Sequence, residues 1–299
     1  LQDPRAKAKL REFFHHWLLM EEGADLAKDS KTYPGFDEAL IADLRESLDL
    51  FTQHVVWSEA SDFRELLLSE TLFLNARLAK FYGTEISSTN HFEPVTIPGG
   101  QRAGIFTHPY LMATLSYHKS TSPIHRGVFL TRNVLGRFLK PPPMAISFMD
   151  DRFDPSLTMR EKVTELTKSD TCMACHVTIN PLGFSLEHYD AVGRWRTLDN
   201  NKPVNAESDY LTPDGEVLRL KGARDVARHA AASEEARLGF IRQMFHYTAK
   251  QTPAAYGADT LALLDRRFTE SHYHMGDLFV EIATRVATHS FQAQTQAKR

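Results

Sequence analysis

Leu40, Ile41, Leu44, Leu48, Phe51 and Val55 fall on one helical stripe, while Asp43, Glu46 and Asp49 take the outer side. This spacing predicts an amphipathic helix with a core-facing edge. A second apolar series, Leu67, Phe73, Leu74, Leu78 and Phe81, predicts another helix, with Gly83 placed to stop it. "THPYLMATLSYH" reads as a third helix. "HRGVFLTRNVLGRFL" reads as a fourth, running up to "KPPPM", where three consecutive prolines forbid helix and favour extended polyproline geometry. An irregular run, "AISFMDDRFDPSL", follows. Thr158 and Glu161 then have capping-box spacing, so a short helix starts there.

Further on, "PVNAESDYLTPDGEVLRL" alternates as a small hairpin whose turn is Pro213, Asp214 and Gly215. Helical patterning returns at 224–232, 234–250, 258–270 and 276–290, before a polar tail, "AQTQAKR", that is expected to fray. The fold class is therefore mainly α, a multi-helix domain with one small β-hairpin. Three regions divide it: an N-terminal helical region at 1–95, a central region at 96–200, and a hairpin with C-terminal helices at 201–299.

Composition narrows the classes of function. Apolar residues make up 42% and charged residues 24%, ordinary for a globular protein that buries a sizeable core. A net charge of −3 supplies no broad basic surface, so nucleic acid is not an expected partner. No apolar run approaches the roughly 18 residues of a membrane span. The opening "LQDPRAKAKLREFF" puts charges and Pro4 first, unlike a signal peptide; a signal has been removed or the chain begins inside a longer precursor. Two cysteines exclude an extensive disulfide framework.

Those two cysteines carry the chemistry. In "DTCMACHVTINPLGF", Cys172 and Cys175 are three apart and His176 follows directly, the attachment pattern of a c-type haem. Two thiols add to the two vinyl groups of the porphyrin, one helical turn holds them at that separation, and the next imidazole meets the iron. Cys172 and Cys175 are thus the expected thioether residues of one haem c (heme c), with His176 the proximal ligand. A zinc site would need two further ligands, and "HYH" at 272–274 is the nearest pair. A dithiol redox site would need a strand–loop–helix setting of thioredoxin type.

The flanks suit haem as well. Pro181 and Gly183 are expected to bend the chain around the ring edge, with nearby backbone carbonyls accepting the imidazole proton. Arg194 and Arg196, beside Trp195, are either partners for the haem propionates or a solvated loop edge. For the sixth iron position the histidines His118 and His125 and the methionines Met144, Met149, Met159 and Met275 are available. Met244 and His246 lie on one helix. Met244 shares an apolar face with Phe240, Ile241, Phe245 and Thr248 and reads as core, whereas His246 lies opposite. His125, then His246, are the preferred iron ligands.

With these residues in view, the chain resembles the C-terminal part of large secreted c-type cytochrome proteins, abundant in planctomycetes and built from consecutive domains of unknown function. The resemblance runs from Tyr33 to His289 and rests on "FLNARLAKFYG", "RAGIFTHPYLMA", "TSPIHRGVFLTRNVLG" followed by "KPPP", "TMREKVTEL", "CMACHVTINPLGFSLEHYDAVGRWR" and "KQTPAAYG". It implies a bound haem and a periplasmic or extracellular location, and supplies no reaction. The expectation is a mono-haem c-type cytochrome, its helices enclosing the haem. It would transfer electrons to a redox protein partner, within a larger electron-transfer complex. The alternative is a haem enzyme of peroxidase or oxidase type with an open distal site.

Overall fold

The protein is described here from a computed structural model covering residues 3–87, 91–97, 99–140 and 148–297. Asp3 accepts the amide hydrogen of Arg5, and Pro4 takes the first helical position, where its missing N–H costs nothing; helix α1 (Pro4–Trp17) starts there. The stripe from Leu40 to Val55 is the inner face of α2 (Glu38–Val56), capped by Asp37, which accepts the Leu40 amide at 2.8 Å.

The next apolar series does not form the single helix its pattern predicts. It divides into α3 (Glu65–Leu68), strand β1 (Thr71–Leu74) and α4 (Ala76–Tyr82). Asn75 is the cause. Its side chain caps the Leu78 amide at 3.0 Å, so a new helix starts there, and the extended residues before it pair antiparallel with β2 (Glu93–Thr96). Gly83 ends α4 in the left-handed conformation, as expected.

A short helix, α5 (Pro109–Thr114), stands for "THPYLMATLSYH". The fourth predicted helix is α6 (Pro123–Phe129), which widens into a π-helical turn over Leu130–Val134 and ends at Gly136, before the prolines. Pro141 to Pro143 and Met144 lie outside the described residues. Both halves of the Thr158–Glu161 capping box are formed at the start of α7 (Met159–Leu166).

Helix α8 (Asp170–Phe184) carries the cysteines and is capped by Ser169. The helix continues through Pro181 to Phe184. That residue lies in the last turn, where its missing amide forfeits one helical bond. A short pair, β3 (Leu198–Asp199) with β4 (Lys202–Pro203), precedes the predicted hairpin, β5 (Ser208–Leu211) with β6 (Val217–Leu220). Four helices close the chain: α9 (Ala223–Ala232), α10 (Glu234–Ala249), α11 (Thr260–Glu270) and α12 (Met275–Ala297), the last continuing through most of the polar tail.

Among the described residues the fold is mainly helical with small antiparallel strand pairs. Phe240 of α10 lies at an aromatic centre that joins the two ends of the chain. Its ring is 5.1 Å from Trp17 of α1, 4.4 Å from Phe63 and 6.2 Å from Phe268 of α11. No helix among the described residues is long and apolar enough to cross a membrane.

Candidate haem-attachment helix

The site begins with the packing of α6 on α8. Pro123 and Gly127 of α6 touch α8 at Gly183 and Ile179 respectively, so the two helices run antiparallel. The cysteine end of α8 emerges beside the π-helical turn that extends α6. There Cys172, Cys175 and His176 are half-buried, both thiols free. At 100° per residue, Cys175, Cys172, His176, Met173 and Val177 sweep consecutively across about 200° of the helix surface. Met173 and Val177 are apolar yet 36% and 44% exposed, and Phe138, just beyond the π-helical turn, is 82% exposed.

The imidazole of His176 is held by a directed chain of hydrogen bonds. Its Nδ1 lies 2.8 Å from Oδ1 of Asn180. The Asn180 amide donates to Oγ1 of Thr167 at 2.9 Å, and that hydroxyl donates to the Val163 carbonyl at 2.8 Å. The Val163 carbonyl can only accept, so the Thr167 proton points to it and its oxygen accepts from Asn180. Asn180 therefore turns its oxygen to His176 and Nδ1 carries a proton, so the neutral imidazole has its lone pair on Nε2. The imidazole proton goes to a side-chain amide and not to the backbone carbonyl expected from sequence. Asn180 stands one helical turn beyond His176, a spacing that brings the two side chains together and is visible in the sequence. Thr167 reaches Asn180 from the C-cap of α7, in the short turn that leads into α8.

The other residues singled out from sequence lie elsewhere. Arg194 stacks its guanidinium 4.1 Å above the ring of Phe81. Arg196 donates to Glu187 Oε2 at 2.8 Å, to the Glu187 carbonyl at 2.9 Å and to Asp199 at 2.5 Å. His125 is two residues from both Pro123 and Gly127, on the side of α6 turned away from α8, with its ring 5.2 Å from Tyr117. His125 is exposed, and partial desolvation of its ring by neighbouring atoms, ahead of the charge of Lys28, lowers its pKa. His246 is exposed on α10, whose inner face holds Met244 in the core.

His118 and Met149 are exposed, Met159 packs with Val163 and Phe184, and Met275 is buried. His272 and His274 belong to the turn before α12, where His274 accepts the Asp277 amide at 3.0 Å. Among the described residues no group of three or more His, Cys, Asp or Glu is gathered as a metal site.

The chain carries two family domains in consecutive order. Residues 1–84 match the model PSD4, a protein of unknown function (DUF1592). Residues 102–199 match PSCyt3, a protein of unknown function (DUF1588), and so include the whole of α8. This order is consistent with the planctomycete-type cytochrome family that the sequence resembles. Neither the curated proteins nor the solved structures gave a significant match.

Proposed function

We propose that the protein is a mono-haem c-type cytochrome of the periplasm or cell exterior, in which Cys172 and Cys175 form the thioether bonds and Nε2 of His176 binds the iron. Such a haem supplies reversible one-electron transfer between ferric and ferrous iron. The observation that carries this reading is the state of His176. Its Nδ1 proton is committed to Asn180, so Nε2 offers a lone pair on the same surface as two free thiols and the exposed apolar Met173 and Val177. The name of the PSCyt3 family agrees with it. A single haem in a chain of 299 residues leaves much surface for contacts with a redox partner or larger complex.

The deciding experiment is an intact mass after denaturation, with a pyridine haemochrome spectrum, on protein matured with the haem-attachment machinery. The reading requires one covalent haem per chain; a colourless protein of bare polypeptide mass sinks it.

A second reading, a haem enzyme with an open distal position, is favoured by where His125 and His246 lie, on the far side of α6 and on the outer face of α10. The spectrum separates the two. A six-coordinate, low-spin haem that becomes high-spin in His125→Ala or His246→Ala makes that residue the sixth ligand and the protein an electron carrier. A five-coordinate haem that reacts rapidly with peroxide supports the enzyme.

A further inference from the structure

We propose that Asn180 and Thr167 are positioning residues that orient His176, enrich the electron density of its Nε2, and thereby lower the reduction potential of the group it binds; this rests on the proposed function above. Asn180 and Thr167 are 7% and 3% exposed, so water does not compete for either link. Every hydrogen bond in the chain has one allowed direction, ending on the Val163 carbonyl in α7. That carbonyl also accepts the Thr167 amide at 3.0 Å, at the helix end where the dipole is negative. The polarisation therefore passes from a negative helix terminus through Thr167 and Asn180 to Nδ1. Hydrogen bonding of this outer kind makes a ligating histidine more basic and fixes its ring. A more electron-rich ligand stabilises ferric over ferrous iron, which sets the sign of the effect.

Asn180 lies in α8 and precedes Pro181, whereas Thr167 follows the last turn of α7, so the relay also fixes α7 against α8. Val163 packs with Met159 and Phe184 in a satellite of the core, which anchors the acceptor end.

The test measures reduction potential and haem content together on the matured full-length protein. Asn180→Leu is expected to raise the potential by about 59 mV or more, a tenfold change in a one-electron equilibrium. Thr167→Val is expected to shift it the same way by less, because Asn180 can still accept from His176 but loses its orientation. Thr167→Ser, which keeps the hydroxyl, is expected to restore the wild-type potential. If Asn180→Leu fails to mature, the Thr167 pair decides alone. Unchanged potentials in Thr167→Val with full haem content overturn the relay and leave the haem assignment standing. Absence of haem from the wild-type protein overturns both.

Discussion

Gly127 of α6 meets Ile179 of α8 so closely that a methyl group on Gly127 would penetrate the Ile179 carbonyl oxygen. Gly183 stands in the same relation to the Pro123 carbonyl one helical turn along. The obstacle in each case is backbone, which cannot swing aside as a flexible side chain would. Gly127→Ala and Gly183→Ala are each expected to cost about 1–3 kcal/mol, the range for overpacking a close contact. Urea unfolding measures this. A midpoint unchanged in both variants would mean that the two backbones do not meet at these glycines.

If Cys172 and Cys175 carry the proposed haem, removal of one thiol leaves it attached through the other. Cys172→Ala is therefore expected to retain one haem by denatured mass with a single thioether, and an altered haemochrome spectrum from the vinyl group left unreacted. The double variant, Cys172→Ala with Cys175→Ala, is expected to lose all haem under denaturing conditions. Covalent haem persisting in the double variant would place attachment elsewhere.

Arg126 is wholly buried and acts as a clamp behind α8. Its guanidinium donates to the carbonyls of Leu186, Tyr189 and Asp190 at 3.0, 2.8 and 2.8 Å and to Ser116 Oγ at 3.0 Å, and it pairs with Glu187 at 3.4 Å. Burial draws its pKa down to about 10, and burial also raises that of Glu187. Lysine cannot reproduce a planar fork of donors. Arg126→Met, which leaves three buried carbonyls without their donor while Glu187 keeps Arg196 and Thr121, is expected to cost about 3–5 kcal/mol, and Arg126→Lys somewhat less. Thermal or urea unfolding that matches the wild type would disprove the clamp.

Acid is expected to destabilise the fold through His108. The residue is fully buried; its Nδ1 accepts the Tyr110 amide at 3.3 Å and its Nε2 faces Ser47 Oγ at 3.3 Å. Burial, and then the charge of Arg102, pull its pKa from 6.5 down to about 3. Between these values the unfolded chain binds a proton that the folded chain does not. The contribution is complete above pH 6.5 and is lost as pH falls towards 3, at up to ~1.4 kcal/mol per pH unit. His108→Gln is expected to be less stable at pH 7 yet to lose less on acidification. Parallel stability curves for the two proteins below pH 6 would show that His108 is not the group responsible.

Local pattern alone determined much of this protein. The stripe of α2, the capping box at Thr158, the hairpin turn at Gly215 and the four closing helices were all legible, because each depends on residues within one or two turns of one another. The juxtaposition of Cys172, Cys175 and His176 was legible for the same reason, and the link from His176 to Asn180, four residues apart on one helix, was available too. Periodicity failed between Leu67 and Phe81, where the pairing of β1 with a strand some twenty residues on outweighed helical spacing.

What only the tertiary structure decided are the contacts between distant segments. These are Thr167 completing the chain from α7, His125 turned away from α8, Arg196 committed to Glu187 and Asp199, and both ends of the chain meeting at Phe240. Sequence spacing specifies which face of a helix a side chain occupies. Only the packing of the whole chain specifies what that face meets, since the free energy of each such contact depends on surfaces that lie far apart in sequence.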